Sequence, residues 1–124
     1  MNINEINVGV LAYIGDAVYE VLIRNYLTDK FKVKVNELQK EAISYVSAEA
    51  QANILENLIN KNFLTKEELY TVGRARNYKT NSKPKHADIK TYKKATALEA
   101  LFGMLYKNKD IDRINEIMKE IIGE

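Results

Sequence analysis

Two carboxylates in this chain stand where a helix would otherwise be apolar. Asp16 lies in LAYIGDAVYEVLIR (Leu11 to Arg24), beside a stripe of Leu11, Ile14, Val18 and Leu22 that Ala17 and Val21 reinforce. Glu99 interrupts a second stripe, Leu98, Leu101 and Leu105, within ATALEALFGMLY (Ala95 to Tyr106). A carboxylate at the margin of a core carries a desolvation cost unless it meets a cation, a base or a second carboxylate. Read as helices, the two segments can bring Asp16 and Glu99 to one site across 83 residues of sequence. Periodicity alone leaves open the plainer reading, that both face water at the edge of a core. Hard oxygen ligands on rigid helices suit a magnesium ion, which takes one or two carboxylates, several waters and a substrate phosphate. Such an ion supplies what phosphodiester hydrolysis needs: an acidified water, neutralised phosphoryl oxygens and help for the leaving oxygen. Glu20, one turn beyond Asp16 on the same face, can orient a water from behind the ligands, or can be a solvated helix glutamate.

The elements that must position these groups read as helices throughout. The expected fold class is all-α, a single domain of about six helices spanning residues 1–124. Helix 1 is expected from about Asn4 to Thr28 and helix 2 from about Val35 to Val46. Ser47 is placed to cap helix 3, which continues to about Asn60. Thr65 to Glu68 has the form of a capping box opening helix 4, which reaches about Asn77. Tyr78 to Ala87, with the only proline, Pro84, reads as a basic loop. Asp88 caps helix 5, which carries Glu99 and ends near Lys107. Asp110 caps helix 6, and Gly123 is positioned to end it.

Composition narrows the chemistry further. There is no cysteine, hence no disulfide framework, no thiolate zinc site and no thiol nucleophile. His86, the only histidine, sits in the basic loop and is better read as a surface or phosphate-contacting residue than as a base. No phosphate-binding glycine loop, dinucleotide fingerprint or zinc-protease helix motif occurs. The start, MNINEINV, carries no basic region ahead of an apolar run, and no apolar stretch approaches the roughly 20 residues of a membrane span. A cytoplasmic protein is expected. Of 19 Lys/Arg and 17 Asp/Glu, residues 73–94 hold eight basic residues against one acid, Asp88, so the rest of the chain is net acidic. Positive charge gathered this way points to a polyanion.

The sequence L-x-x-[IL]-G-D-A-V-x-E, followed by A-x-A-[FL]-E-A-L-x-G-x-[IL]-Y, resembles the ribonuclease III catalytic domain from about Val10 to Tyr106. LQKEAISYVSAEAQANIL (Leu38 to Leu55) resembles the helices between those motifs. Gly73 to Gly103, GRARNYKTNSKPKHADIKTYKKATALEALFG, is similar to the small bacterial subfamily that consists of the catalytic domain alone, Mini-ribonuclease III. The resemblance implies a magnesium-dependent endoribonuclease, with manganese as a substitute. Its substrate would be double-stranded RNA, cut to 5′-phosphate and 3′-hydroxyl ends. It further implies a homodimer that matures the large-subunit (23S) ribosomal RNA precursor, with a ribosomal protein as a possible helper.

Asp16 matches the family's signature aspartate and Glu99 its downstream glutamate, so both are expected to be catalytic and to ligate metal. Glu20 and Thr96 are expected behind them. Arg74, Arg76, Asn77, Lys79, Lys83 and Lys85 are expected to bind RNA. Two positions depart from the larger enzymes. Ala12 stands where they carry a glutamate and Thr96 where they carry an aspartate, as in the smaller subfamily. These losses make the alternative a non-catalytic helical RNA-binding or ribosome-associated module on a degenerate ribonuclease III fold.

Overall fold

Short polar side chains start four of the helices as the sequence predicts, each accepting a hydrogen bond from an otherwise unpaired amide of the first turn. Ser47 accepts from Ala50, Asp88 from Thr91 and Asp110 from Arg113. Thr65 and Glu68 form the reciprocal capping box. Gly123 ends the last helix in the left-handed region at φ 86°. The protein is described here as a computed structural model covering residues 2–78 and 88–123. After a 3-10 turn, Ile3–Glu5, six helices follow: α1 (Val8–Lys30), α2 (Val35–Val46), α3 (Ala48–Asn60), α4 (Lys66–Arg76), α5 (Ile89–Lys107) and α6 (Ile111–Ile122). No strand occurs among the described residues. The loop expected at Tyr78 to Ala87 lies, apart from Tyr78, outside them.

Helix α1 begins at Val8 rather than Asn4, because the Asn7 side chain accepts the Gly9 amide at 2.7 Å and fixes the first turn there. It also turns a different line inward from the expected one. Val8, Leu11, Ala12, Gly15, Tyr19, Ile23 and Leu27 are buried. Ile14, Val18 and Leu22 are only half-buried, and Ala17 and Val21 are exposed. The cause is Gly15, which brings this face of α1 onto α5.

Helix α5 is the axis of the fold, with α1, α3 and α4 packed around it and α6 against its end. From Ala95 to Leu105 every residue is buried except Thr96 and Glu99. A Cβ on Gly15 would lie 1.6 Å from the Glu99 carbonyl oxygen, and one on Gly103 would lie 1.9 Å from the Leu11 carbonyl oxygen. The two helices therefore touch backbone to backbone, each glycine admitting the other helix's peptide. Tyr19 and Phe102 pack beside this crossing with ring centroids 5.2 Å apart.

One buried ion pair closes the far end. Glu68, only 3% exposed, receives Nε and Nη2 of Arg113, each at 2.8 Å. Arg113 Nη2 also donates to the Phe63 carbonyl at 2.7 Å. Glu68 thus serves both as the reciprocal partner of the α4 cap and as the anchor of α6.

These contacts give opposite expectations for the helical glycines. Gly103→Ala should destabilise the protein by about 3 kcal/mol or more, since the backbone on both sides must part to admit the methyl group. Gly73 lies inside α4, and a methyl group added there would meet nothing within 4 Å. Gly73→Ala should therefore stabilise by about 0.5–1 kcal/mol through helix propensity. Urea unfolding of both variants checks this; a Gly103→Ala protein as stable as the parent would refute the interlocked crossing.

Candidate active site

The interlock of α1 and α5 decides which side chains meet. Gly15 rests on the Glu99 carbonyl, so Asp16, the next residue, emerges from α1 beside the Glu99 side chain. Both carboxylates line a cleft of about 450 Å³ between α1, the end of α4 and the first half of α5. Ala12, Tyr13, Tyr78, Tyr92, Lys93 and Thr96 also line it. The two positions that depart from the larger enzymes therefore face the same cleft as the two carboxylates. Asp16 is exposed to solvent, whereas Glu99 is half-buried.

The electrostatics follow from that crowding. Burial, then the Asp16 carboxylate within hydrogen-bonding reach, push the Glu99 carboxyl up to about 8; Glu20 adds a weaker push. The Gln51 amide acts in the opposite sense by favouring the ionised form. Glu20 itself accepts Arg24 Nη2 at 2.7 Å on the exposed side of α1. Thr96 donates its hydroxyl to the Tyr92 carbonyl at 2.9 Å, so its oxygen lone pairs, rather than its proton, face the cleft chemistry.

Gln51 was not singled out by sequence reasoning. It is 3% exposed on α3, with Leu55 and Leu58 at helical spacing along the same buried line. A polar residue on an apolar stripe is the signal that marks Asp16 and Glu99, and it was present here as well.

The expected RNA-binding residues separate. Arg76 and Asn77 are exposed and line a hollow of about 480 Å³ with Gly73, Lys90, Lys93 and Lys94. Lys93 borders both this hollow and the carboxylate cleft. Lys94 is paired with Glu56. Arg74 is turned away from the solvent side of the segment: its Nη2 donates to the Ile6 carbonyl at 2.6 Å, tying α4 to the approach to α1. Lys79, Lys83 and Lys85 lie outside the described residues. Among the described residues, no three of His, Cys, Asp and Glu gather into a metal-binding group. What the cleft presents is a pair of carboxylates whose mutual repulsion a divalent cation would relieve, and that donor set fits an ion that keeps most of its waters.

The Ribonuclease III domain model matches residues 9–110 of this chain. A Mini-ribonuclease 3 of Staphylococcus aureus is 40% identical over 98% of this chain and 90% of its own length. One from Brevibacillus brevis is 49% identical over 90% of this chain and 81% of its own length. The crystal structure of a Fusobacterium nucleatum protein superposes with a TM-score of 0.86 at 32% identity, covering 97% of this chain and 96% of the other.

The Glu99 environment sets a pH dependence. The folded carboxyl holds its proton to about pH 8, while in the unfolded chain it ionises near the ordinary 4.5. Between these values the folded state binds more protons, so metal-free stability falls as pH rises from about 4.5 to 8. Glu99→Gln should remove that decline and leave the chelated protein on the order of 2 kcal/mol more stable than the parent at the upper end. Thermal unfolding in chelator across this range checks it; parallel curves for the two proteins would contradict the burial of an ionisable group here.

Proposed function

The chain belongs to the Mini-ribonuclease III branch of the ribonuclease III family, and from that premise we propose that Asp16 and Glu99 hold the divalent ion of its active site. It is an endoribonuclease of the double-stranded-RNA-cutting type, leaving 5′-phosphate and 3′-hydroxyl ends. The observation that carries the site assignment is the convergence of the two carboxylates, with Glu99 pushed up to about 8 by burial and by Asp16. Magnesium is the proposed ion and manganese a substitute. When bound, it supplies an acidified water and neutralises charge on the phosphoryl oxygens. Asp16 and Glu99 orient and charge-balance it, and Glu99 must release its proton as it does so. Glu20 adds negative potential from one turn away, and Thr96 offers hydroxyl lone pairs at the cleft wall. With Ala12 and Thr96 in place of acids, the protein itself would offer such an ion only the carboxylates of Asp16 and Glu99.

Arg76, Asn77 and Lys93 are proposed to grip the duplex backbone beside the cleft, with Lys79, Lys83 and Lys85 extending that contact. Arg74 contributes by holding α4 against the start of α1. The proposed duplex is the large-subunit ribosomal RNA precursor, cut in the cytoplasm, with a ribosomal protein as a candidate helper. Among the described residues no helix is long and apolar enough to cross a membrane. The whole of residues 1–124 is proposed to act as one catalytic domain.

A second copy of the chain is proposed to cover the other flank of α1. There Ile14, Val18, Val21 and Leu22 line a groove of about 340 Å³ with Tyr106 and Ile111 from the end of α5 and the start of α6. Val21 is 65% exposed beside the half-buried Ile14, Val18 and Leu22. A stable homodimer centred here would bury roughly 1,600 Å². Dimerisation would also set two active sites against opposite strands of one duplex.

Asp16→Asn should fold normally and cut a model RNA duplex roughly 100-fold more slowly or worse at saturating magnesium. Retained turnover in that variant would sink the assignment. Arg76→Ala and Lys93→Ala should each weaken RNA binding and flatten its log–log salt dependence by somewhat less than one unit. Arg74→Ala should lower stability and leave that slope unchanged. Val21→Asp should yield monomers in sedimentation; a protein that is already monomeric at micromolar concentration and still cuts both strands would exclude the dimer.

A further inference from the structure

We propose that Gln51 is a positioning residue of the active site, holding the Glu99 carboxylate from α3 in the orientation that faces Asp16. The inference rests on the assignment of Asp16 and Glu99 made above. Helix α3 sends no acid into the cleft, yet Gln51 is buried at 3% exposure with its amide within hydrogen-bonding reach of the Glu99 carboxylate. Its Nε2 is also anchored, donating to the Val46 carbonyl at 3.3 Å. That carbonyl ends α2 and has no intrahelical partner to receive. One amide thus joins the end of α2, the first turn of α3 and the carboxylate of α5.

Packing does not account for this residue. The neighbouring positions on the same buried line are Leu55 and Leu58, and a leucine at 51 would continue it. Instead the chain buries an amide whose Oε1 has no hydrogen-bond partner. An unpaired buried acceptor carries a desolvation penalty that nothing offsets. A side chain that costs stability and reaches a carboxylate of the site is explained by what it does to that carboxylate. Groups that hydrogen-bond a metal-ligating side chain fix its orientation, and their loss weakens the metal site without unfolding the protein.

The test uses Gln51→Leu and Gln51→Met, which keep the volume and remove the amide, in the full chain. Manganese binding without RNA is followed by electron paramagnetic resonance, urea unfolding is measured in chelator, and kcat and KM are taken on a duplex RNA over a range of magnesium. The variants should be at least as stable as the parent, bind manganese about 10- to 100-fold more weakly, and lose kcat with KM for RNA unchanged. Higher magnesium should restore part of that kcat. Parental manganese affinity and kcat in either folded variant would overturn the proposal, as would unfolding of both variants, since that would make Gln51 a structural residue. Asp16→Asn measured alongside separates the two levels: if it too binds manganese normally, the site assignment itself has failed, and if it alone loses binding, only the role of Gln51 has.

Discussion

The backbone contact between α1 and α5 is the constraint on which the rest depends. Two glycines, one on each helix, remove the side chains that would keep the axes apart, and each accepts a peptide carbonyl of the partner. Most helix pairs are spaced by interlocking side chains, whose rotamers can relax when one is changed. A peptide group cannot relax in that way. Glu99 takes part twice: its carbonyl rests against Gly15 while its carboxylate enters the cleft, where Asp16, one residue along α1, meets it. The points from which the two side chains leave their helices are therefore set by main-chain contact, and the side-chain torsions of Asp16 and Glu99 remain to be fixed by their neighbours. An ion held between them as proposed would gain from that rigidity.

How much of this was legible in the sequence depended on whether the signal was local. Caps are local: Ser47, Thr65 with Glu68, Asp88, Asp110 and Gly123 all act where their residue types placed them. The start of α1 was misplaced because Asn4 and Asn7 carry the same side chain, and only the bond to Gly9 distinguishes them. The inward face of α1 was misread for a deeper reason. This helix has apolar residues on two flanks, and periodicity ranks them by size, which favours Ile14, Val18 and Leu22. The buried line is instead the one with small residues, Ala12 and Gly15, because α5 approaches there more closely than a leucine allows. Asp16 and Glu99 could be paired from their motifs, since each breaks an apolar stripe. Gln51 breaks one too, but an uncharged amide on a helix draws less notice than a carboxylate.

The charge of the site differs from what two missing acids alone would suggest. Ala12 and Thr96 leave the cleft with two carboxylates where the larger enzymes of the family carry four. Fewer negative groups weaken the pull on a cation, yet they also reduce the repulsion that keeps a buried carboxylate protonated. Glu99 stays near 8 even so, with burial the largest single cause and Asp16 the next. For a cation held as proposed, occupation and loss of the Glu99 proton would be one linked event, and affinity would rise with pH until the proton is gone. Lys93 lies at the border between the cleft and the basic hollow, where its charge would oppose a cation in the free protein and favour a phosphate in the proposed complex. Both features favour a site that assembles with its substrate over one that stores metal at rest.

Helix α1 divides its circumference among three tasks, and the geometry of a helix explains why they coexist. The line through Leu11, Gly15 and Tyr19 faces α5. Asp16 and Glu20 follow on one flank at about 100° per residue, and Ile14, Val18 and Val21 lie on the other. The cleft and the open apolar groove are thus separated by the thickness of a single helix, with the interlocked face between them. A partner seated in the groove cannot tilt α1 without also moving Gly15 against the Glu99 carbonyl, which has no room to yield. Any strain arising in the groove is therefore carried by rigid displacement of α1 and α5 together. The carboxylate pair would move as a unit under such a displacement, so its spacing would survive the proposed assembly even though the same helix builds the core, the site and the exposed apolar face.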